Sequence, residues 1–196
     1  MFFCGLYHAC GVGVAADAAA AVAWYTRAAE AGSADAQYNL GTCYRDGTGV
    51  AADATAHVKW WTRAAEAGTV VAQFNLGVCY RDGVGVAVDA ATTVKWWTRA
   101  AEAGHIGAMN GLALSYSDGT GVAVDLAKSV ALLTRAAEAG DARAQSNLGV
   151  RYLAGKLGVA RDVAKAREWL ARAAALGNDY AAAKLAALDA AVPPPA

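Results

Sequence analysis

Apolar side chains recur along the chain at helical spacing, three or four residues apart. Ala36, Leu40 and Tyr44 lie at positions i, i+4 and i+8, which places them on one face of a helix. A second apolar stretch follows shortly afterwards, and glycines close both stretches, as they close many helices. The pattern predicts a pair of helices at roughly 34–45 and 54–67, joined by a tight, glycine-containing turn.

This predicted helix pair repeats every 36 residues. The segment at 36–47 reads AQYNLGTCYRDG and the segment at 72–83 reads AQFNLGVCYRDG. The segment VKWWTRAAEAG occurs at both 58–68 and 94–104. The frame continues in looser copies, the last of them after one inserted residue near Lys156. Short repeats of this kind stack so that neighbouring units share one continuous core.

The period predicts an all-α fold: an α/α superhelix, or solenoid, of about five 36-residue helix-pair repeats plus a C-terminal helix. The first copy is expected to be irregular, with one extra residue before Gly11. The predicted segments, in chain order, are a partial first repeat at 1–32, repeats at 33–68, 69–104, 105–140 and 141–177, a terminal helix at 178–191 and a disordered tail at 192–196.

Two recurring residue types explain how each pair would be built. An aspartate precedes every predicted second helix and is expected to accept hydrogen bonds from its first free N–H groups. These aspartates are Asp17, Asp53, Asp89, Asp125 and Asp162. Gly41 and Gly77 lie inside first helices, where glycine costs about 1 kcal/mol relative to alanine. We expect a close approach of the second helix there, with Trp60 and Trp96 between units and the second tryptophan of each pair facing a neighbouring unit.

Composition and charge exclude several classes of partner. The 17 basic and 17 acidic residues give no net charge, so no nucleic-acid partner is expected. No run of about 18 apolar residues occurs, so no membrane span is expected. The four cysteines lack C-x-x-C spacing and are interpreted as small buried residues in a reducing compartment, which predicts a cytoplasmic protein.

No catalytic group, cofactor or metal site is predicted. The three histidines are scattered and lack a nucleophile and an orienting acid at recognisable spacing. The loop at 46–53 contains G-x-G, but it lacks the carboxylates of a calcium loop and no strand precedes it. The sequence therefore predicts a protein that is not an enzyme.

The recurring positions resemble a known family. Leu40-Gly41, Gly47-x-Gly49-Val50, Trp60-Trp61 and Ala64-Ala65-x-x-Gly68 are similar to the Sel-one-like repeat (SLR), a relative of the tetratricopeptide repeat. The resemblance covers nearly the whole chain and implies an adaptor of α/α superhelical form that binds other proteins. His57 departs from the repeat pattern, because the other copies carry a small residue at its position.

In the related tetratricopeptide fold the first helices line a concave groove, which the resemblance carries over to this chain. The expected ligand is a peptide or helix of another protein. The predicted groove residues are Tyr38, Thr42, Arg45, Phe74, Val78, Arg81 and Asn110. Tyrosine, phenylalanine and arginine are typical of binding hot spots. The alternative is that the two aromatic residues pack between units while both arginines stay solvated beside Asp46 and Asp82.

Three further alternatives stay open. The apolar side chains Phe2, Phe3 and Leu6 stand where a solenoid needs a polar cap. The chain is therefore expected either to be a fragment of a longer array without independent activity or to self-associate through its N-terminal end. Secreted relatives with paired cysteines are linked to β-lactam binding or hydrolysis. The second helices here contain no cysteine, so the resemblance does not extend to that β-lactamase-like group.

Overall fold

The chain folds into helices throughout the part that the structure, a computed structural model, describes. That part comprises residues 1–11, 13 and 15–190, and it contains eleven α-helices and no strand. The helices form two compact units, Met1–His105 and Ile106–Ala196. The all-α helix-pair repeat architecture predicted from the sequence is confirmed. The predicted tail at 192–196 lies outside the described residues.

The first unit is a run of six helices in which each helix packs against the next. Their bounds are α1 Phe2–Cys10, α2 Ala18–Glu30, α3 Ala34–Asp46, α4 Ala54–Glu66, α5 Val70–Asp82 and α6 Ala90–Glu102. The core between them is made of small and branched side chains that are fully buried. These include Ala36, Leu40, Ala64, Ala72, Leu76 and Ala100.

The second unit repeats the same plan with five helices. Their bounds are α7 Ile106–Asp118, α8 Leu126–Glu138, α9 Ala142–Ala154, α10 Val163–Ala175 and α11 Asp179–Ala190. Consecutive helices again pack against one another. A small cluster of Leu170, Ala173 and Ala181 lies between α10 and α11. No helix among the described residues is both long and apolar enough to cross a membrane.

The predicted aspartate caps begin all five second helices. In each case the carboxylate accepts a hydrogen bond from a backbone N–H two or three residues further along the chain. Asp53 accepts two, from the N–H groups of Thr55 and Ala56 at 2.9 Å. These bonds satisfy donors that a helix cannot pair internally, so the helix starts are encoded locally.

The glycines inside the first helices allow the second helix to approach closely, as predicted. A Cβ added at Gly41 would lie 2.4 Å from Cδ1 of Trp61, and one at Gly77 would lie 2.4 Å from Cδ1 of Trp97. Both tryptophans are buried. This second tryptophan packs on the first helix of its own pair, and Trp61 also belongs to one core cluster with Leu76 and Cys79 of the next pair. The first tryptophan, Trp60, does pack against α2 of the preceding pair as well as α3.

The expected extra residue in the first copy is absent. Gly5 lies under the ring of Tyr25, with a Cβ there only 2.6 Å from Cδ1, just as Gly41 lies under Trp61. Helix α1 ends at Gly11 with φ 69°, the value that Gly47 has at the end of α3. The first helix pair thus follows the 36-residue frame. The prediction of an extra residue was wrong because Tyr7 resembles Tyr44, whereas His8 holds the equivalent position.

Candidate protein-binding surface

Six of the seven predicted groove residues lie on two first helices of the first unit. Helix spacing of four and three residues places them in two matching rows on α3 and α5. We call these six residues the α3–α5 surface: Tyr38, Thr42, Arg45, Phe74, Val78 and Arg81. The two helices are linked by a hydrogen bond from the Asn75 amide to the Tyr38 hydroxyl, 3.3 Å long.

On α3, a tryptophan of the second helix forms the centre of a stack. The ring of Tyr38 lies parallel to that of Trp61, with 5.8 Å between the ring centres. The guanidinium of Arg45 lies 5.3 Å from the Trp61 ring centre. The indole N–H of Trp61 donates to the Tyr38 carbonyl at 3.1 Å, which fixes the ring in place. One buried side chain thus holds an aromatic ring and a cation.

The same stack recurs on α5. The rings of Phe74 and Trp97 are stacked with 6.3 Å between centres, and the Arg81 guanidinium lies 5.6 Å from the Trp97 ring centre. The indole N–H of Trp97 donates to the Phe74 carbonyl at 3.2 Å. The ring of His105 also stacks on Phe74, with 4.3 Å between the ring centres.

Each arginine of the α3–α5 surface is also paired with the aspartate that follows it. Arg45 donates from Nε and Nη2 to Asp46 at 2.7 and 3.0 Å, and Arg81 pairs with Asp82 in the same way at 2.7 and 2.8 Å. These hydrogen bonds lower the pKa of both aspartates below the ordinary value. The arginine side chains remain 45% and 53% exposed. Ion pairs this exposed contribute little to stability.

The three remaining predicted residues are Thr42, Val78 and Asn110. Thr42 donates its hydroxyl to the Tyr38 carbonyl at 3.1 Å, and Val78 is half-buried. Asn110 lies on α7, in the second unit, where its amide donates to Asp141 at 3.0 Å. Asp141 caps α9 through the N–H of Ala144, so the Asn110 amide supports a helix start.

A buried polar pair lies beside the α3 stack, and sequence reasoning missed it. The Nε2 of His57 is 3.3 Å from Sγ of Cys79, and the imidazole meets the Trp61 ring edge-on at 4.7 Å. His57 is 1% exposed. Burial raises the pKa of Cys79 to about 11, so this thiol is not a nucleophile at neutral pH. The unusual His57 was visible in the sequence, but its partner 22 residues later was not.

Burial also lowers the pKa of His57, which predicts a pH dependence of stability. The folded protein disfavours protonation of this imidazole, whereas the unfolded chain takes up a proton as pH falls through about 6.5. The free energy of unfolding should therefore fall more steeply below pH 6.5 in the wild type than in His57→Thr.

Urea unfolding of both proteins at pH 7.5, 6.5 and 5.5 measures this difference. Threonine is the natural residue at the equivalent position 93, so the variant keeps a residue that the repeat accepts. His105, whose pKa burial also lowers, is present in both proteins, so its contribution cancels. Parallel pH profiles would contradict the assignment to His57.

The described residues contain no group of three or more metal-ligating side chains that could hold a metal ion. All four cysteines are free thiols, with Cys79 buried and Cys10 exposed. The side chains of Phe3 and Tyr7 on α1 are exposed. Self-association through this end stays a prediction.

The repeating helix pairs identify a helical-repeat protein. The Sel1 repeat matches the chain in five consecutive segments, 1–33, 34–69, 70–105, 106–141 and 142–178. The chain therefore belongs to the Sel1 repeat family. Proteins of this family are generally protein-interaction scaffolds.

Two solved structures are similar to this one. A protective antigen present in uropathogenic Escherichia coli strains, which displays an SLR fold, is 37% identical over 94% of this chain with a TM-score of 0.89. A Sel1 repeat protein from Oxalobacter formigenes is 34% identical over 94% of this chain with a TM-score of 0.82. The chain spans 39% of the length of the first and 73% of the second. No curated protein matches the chain.

Proposed function

We propose that the chain acts as a scaffold that binds a peptide or helix of another protein on the α3–α5 surface. The family supplies the general role of protein binding. The finer assignment rests on one observation: two equivalent guanidiniums, each about half exposed, stand on buried tryptophans next to Tyr38 and Phe74. Asn110, in the second unit, stays a prediction from the sequence.

The two arginines are suited to bind a partner because their geometry is already fixed. Each donates hydrogen bonds from Nε and Nη2 to the neighbouring aspartate. Among the described residues, Nη1 of each has no acceptor. A carboxylate or carbonyl of a bound peptide can accept from Nη1 without breaking the existing pair, and a pre-ordered side chain loses little entropy on binding.

The aromatic rings provide the apolar part of the same surface. Tyr38 and Phe74 are half-buried. Tyr38 stacks on Trp61 and Phe74 stacks on both Trp97 and His105, so only part of each ring is accessible. Aromatic side chains next to arginine supply most of the energy at many protein interfaces. The expected ligand is therefore a segment that carries an acidic side chain beside an apolar one. The proposal assigns no catalytic step, and it places the protein in the cytoplasm, where free thiols persist.

The test is affinity capture from the native cell extract with the variant Arg45→Ala, Phe74→Ala, Arg81→Ala. We expect the bound partner to be lost, since each hot-spot truncation costs about 2 kcal/mol or more of binding free energy. Circular dichroism confirms that the variant is folded. The same partners bound in the same amounts would contradict the proposal.

The chain offers a matched control. Arg63 and Arg99 lie on second helices and also stand over tryptophans, Trp60 and Trp96, at 4.7 and 4.9 Å from the ring centres. The variant Arg63→Ala, Arg99→Ala removes two exposed arginines of the same kind from outside the α3–α5 surface. We expect it to retain the partner.

A further inference from the structure

The second unit contains a buried cation at a position where the other repeats are neutral. Arg151 on α9 stands where earlier copies carry Cys43, Cys79 and Ser115. Its side chain is only 7% exposed. A buried charge is costly unless an opposite charge or several hydrogen bonds compensate it, so its partners decide what it does.

The partners of Arg151 are all neutral. Nη1 donates to the hydroxyl of Ser129 at 2.9 Å and to the carbonyl of Leu157 at 3.5 Å, and Nη2 donates to the hydroxyl of Ser117 at 2.8 Å. Among residues 1–11, 13 and 15–190, no carboxylate lies within ion-pair distance of it. Burial lowers the pKa of Arg151, and Asp118 opposes this only through a longer-range attraction.

The guanidinium also has unused donors. Its Nε–H has no acceptor in the part of the chain that the structure describes, and Nη2 uses one of its two hydrogens on Ser117. Nε and Nη2 form one edge of the guanidinium fork, the edge that binds two oxygens of a carboxylate or phosphate side by side. That edge is therefore incompletely satisfied within the protein.

The loop after α9 carries two further cations, Lys156 and Arg161, and Nε of Arg161 donates to the Leu153 carbonyl at 3.3 Å. The loop also carries the inserted residue Leu157, which has φ 56°, an unfavourable conformation for a residue with a side chain. Its carbonyl is the one that accepts from Arg151. Lys156 and Arg161 occupy loop positions where the preceding copies have Thr, Val or Ala. Four departures from the repeat pattern thus coincide at one end of α9.

The geometry points to an oxyanion-binding site at this end of α9, formed by the Nε–Nη2 edge of Arg151 and the Lys156 loop, with a phosphate group as its ligand. The three cations Arg151, Lys156 and Arg161 favour a dianionic phosphate over a singly charged carboxylate. The strained inserted residue also has a role here, because it brings the loop against the guanidinium. The site lies within the second unit and does not depend on the proposed function.

The experiment is isothermal titration with two probes, inorganic phosphate and a phosphoserine peptide, at constant ionic strength. We expect saturable binding that is about ten- to a hundredfold weaker in Arg151→Cys, which restores the residue of the second and third copies. Lys156→Thr, an exposed change to the residue of the second copy, should weaken binding about two- to fivefold. Arg143→Ala, an exposed arginine on the same helix, should bind as the wild type does.

The two probes identify the source of the phosphate. Equal affinity for both supports a site for the free anion, and tighter binding of the peptide supports a phosphorylated partner. No saturable binding of either probe to the wild type would overturn the site. Equal binding by the wild type and a folded Arg151→Cys would also overturn it. If that variant does not fold, Lys156→Thr decides in the same way.

Discussion

Replacing Gly85 with alanine is expected to lower the free energy of unfolding by about 3–5 kcal/mol. Gly85 lies in the loop after α5 with φ 71°, which L side chains rarely adopt. A Cβ there would lie 2.0 Å from the carbonyl oxygen of Ala54 and 3.0 Å from a methyl of Val58. Both backbone strain and a collision with the preceding helix pair therefore act against the substitution.

Gly68→Ala is the matched control. Gly68 has φ 96°, but nothing lies within 4 Å of a Cβ built on it, so only the backbone strain of about 1–2 kcal/mol applies. Urea unfolding of both variants, followed by circular dichroism, measures the difference. Equal losses of stability would show that the loop does not depend on the close contact with Ala54.

The close contact at Gly85 shows what the loop with two glycines does in this fold. Its first glycine ends the helix in the left-handed conformation, as Gly47 and Gly83 do. Its second glycine packs on the start of the second helix of the preceding pair: Gly49 lies against Ala18, as Gly85 lies against Ala54. The loop is thus part of the interface between repeats, which accounts for its spacing without any ligand.

Much of the fold could be predicted from the sequence because its determinants are local. The 36-residue period, the aspartate caps such as Asp53 and the closing glycines such as Gly47 each act within a few residues. They predicted the α3–α4 pair at 34–45 and 54–67, and the structure has it at Ala34–Asp46 and Ala54–Glu66. The first copy was predicted less well, because Tyr7 resembles Tyr44 but lies one position before the equivalent residue, His8. Gly5 under Tyr25 and the closing Gly11 both follow the frame.

The candidate surface was predictable only in part. Helical spacing placed Tyr38 and Arg45 on one face, but it did not show that Trp61 of the second helix holds both of them. Which of Trp60 and Trp61 stacks on Tyr38 depends on the rotation of α4 about its axis. The sequence pattern does not decide between these two adjacent residues. The pairs His57–Cys79 and Ser129–Arg151 were missed for a similar reason, because each joins two helix pairs at a separation of 22 residues.

Substitutions at a first-helix glycine and at the second-helix tryptophan that contacts it should have coupled effects on the free energy of unfolding. Gly77 faces Trp97, whereas the next copy has Ala113 and Leu133 at the same two positions, both buried. We expect Gly77→Ala to cost about 1–3 kcal/mol by overpacking and Trp97→Leu to cost about 2–3 kcal/mol by leaving a cavity. The double variant should lose at least about 1 kcal/mol less than the sum of the two single losses.

The coupling has a physical cause, which can be tested by combining a glycine substitution and a tryptophan substitution from two different helix pairs. The methyl group that Gly77→Ala introduces collides with the indole but fits beside the smaller leucine, where it fills part of the space and improves the helix propensity of α5. Gly41→Ala combined with Trp97→Leu makes the same two chemical changes in different helix pairs, so their costs should add to within about 0.5 kcal/mol. Urea unfolding of all five variants measures both cycles. Equal coupling in the two cycles would show that the glycine and the tryptophan are not matched pair by pair.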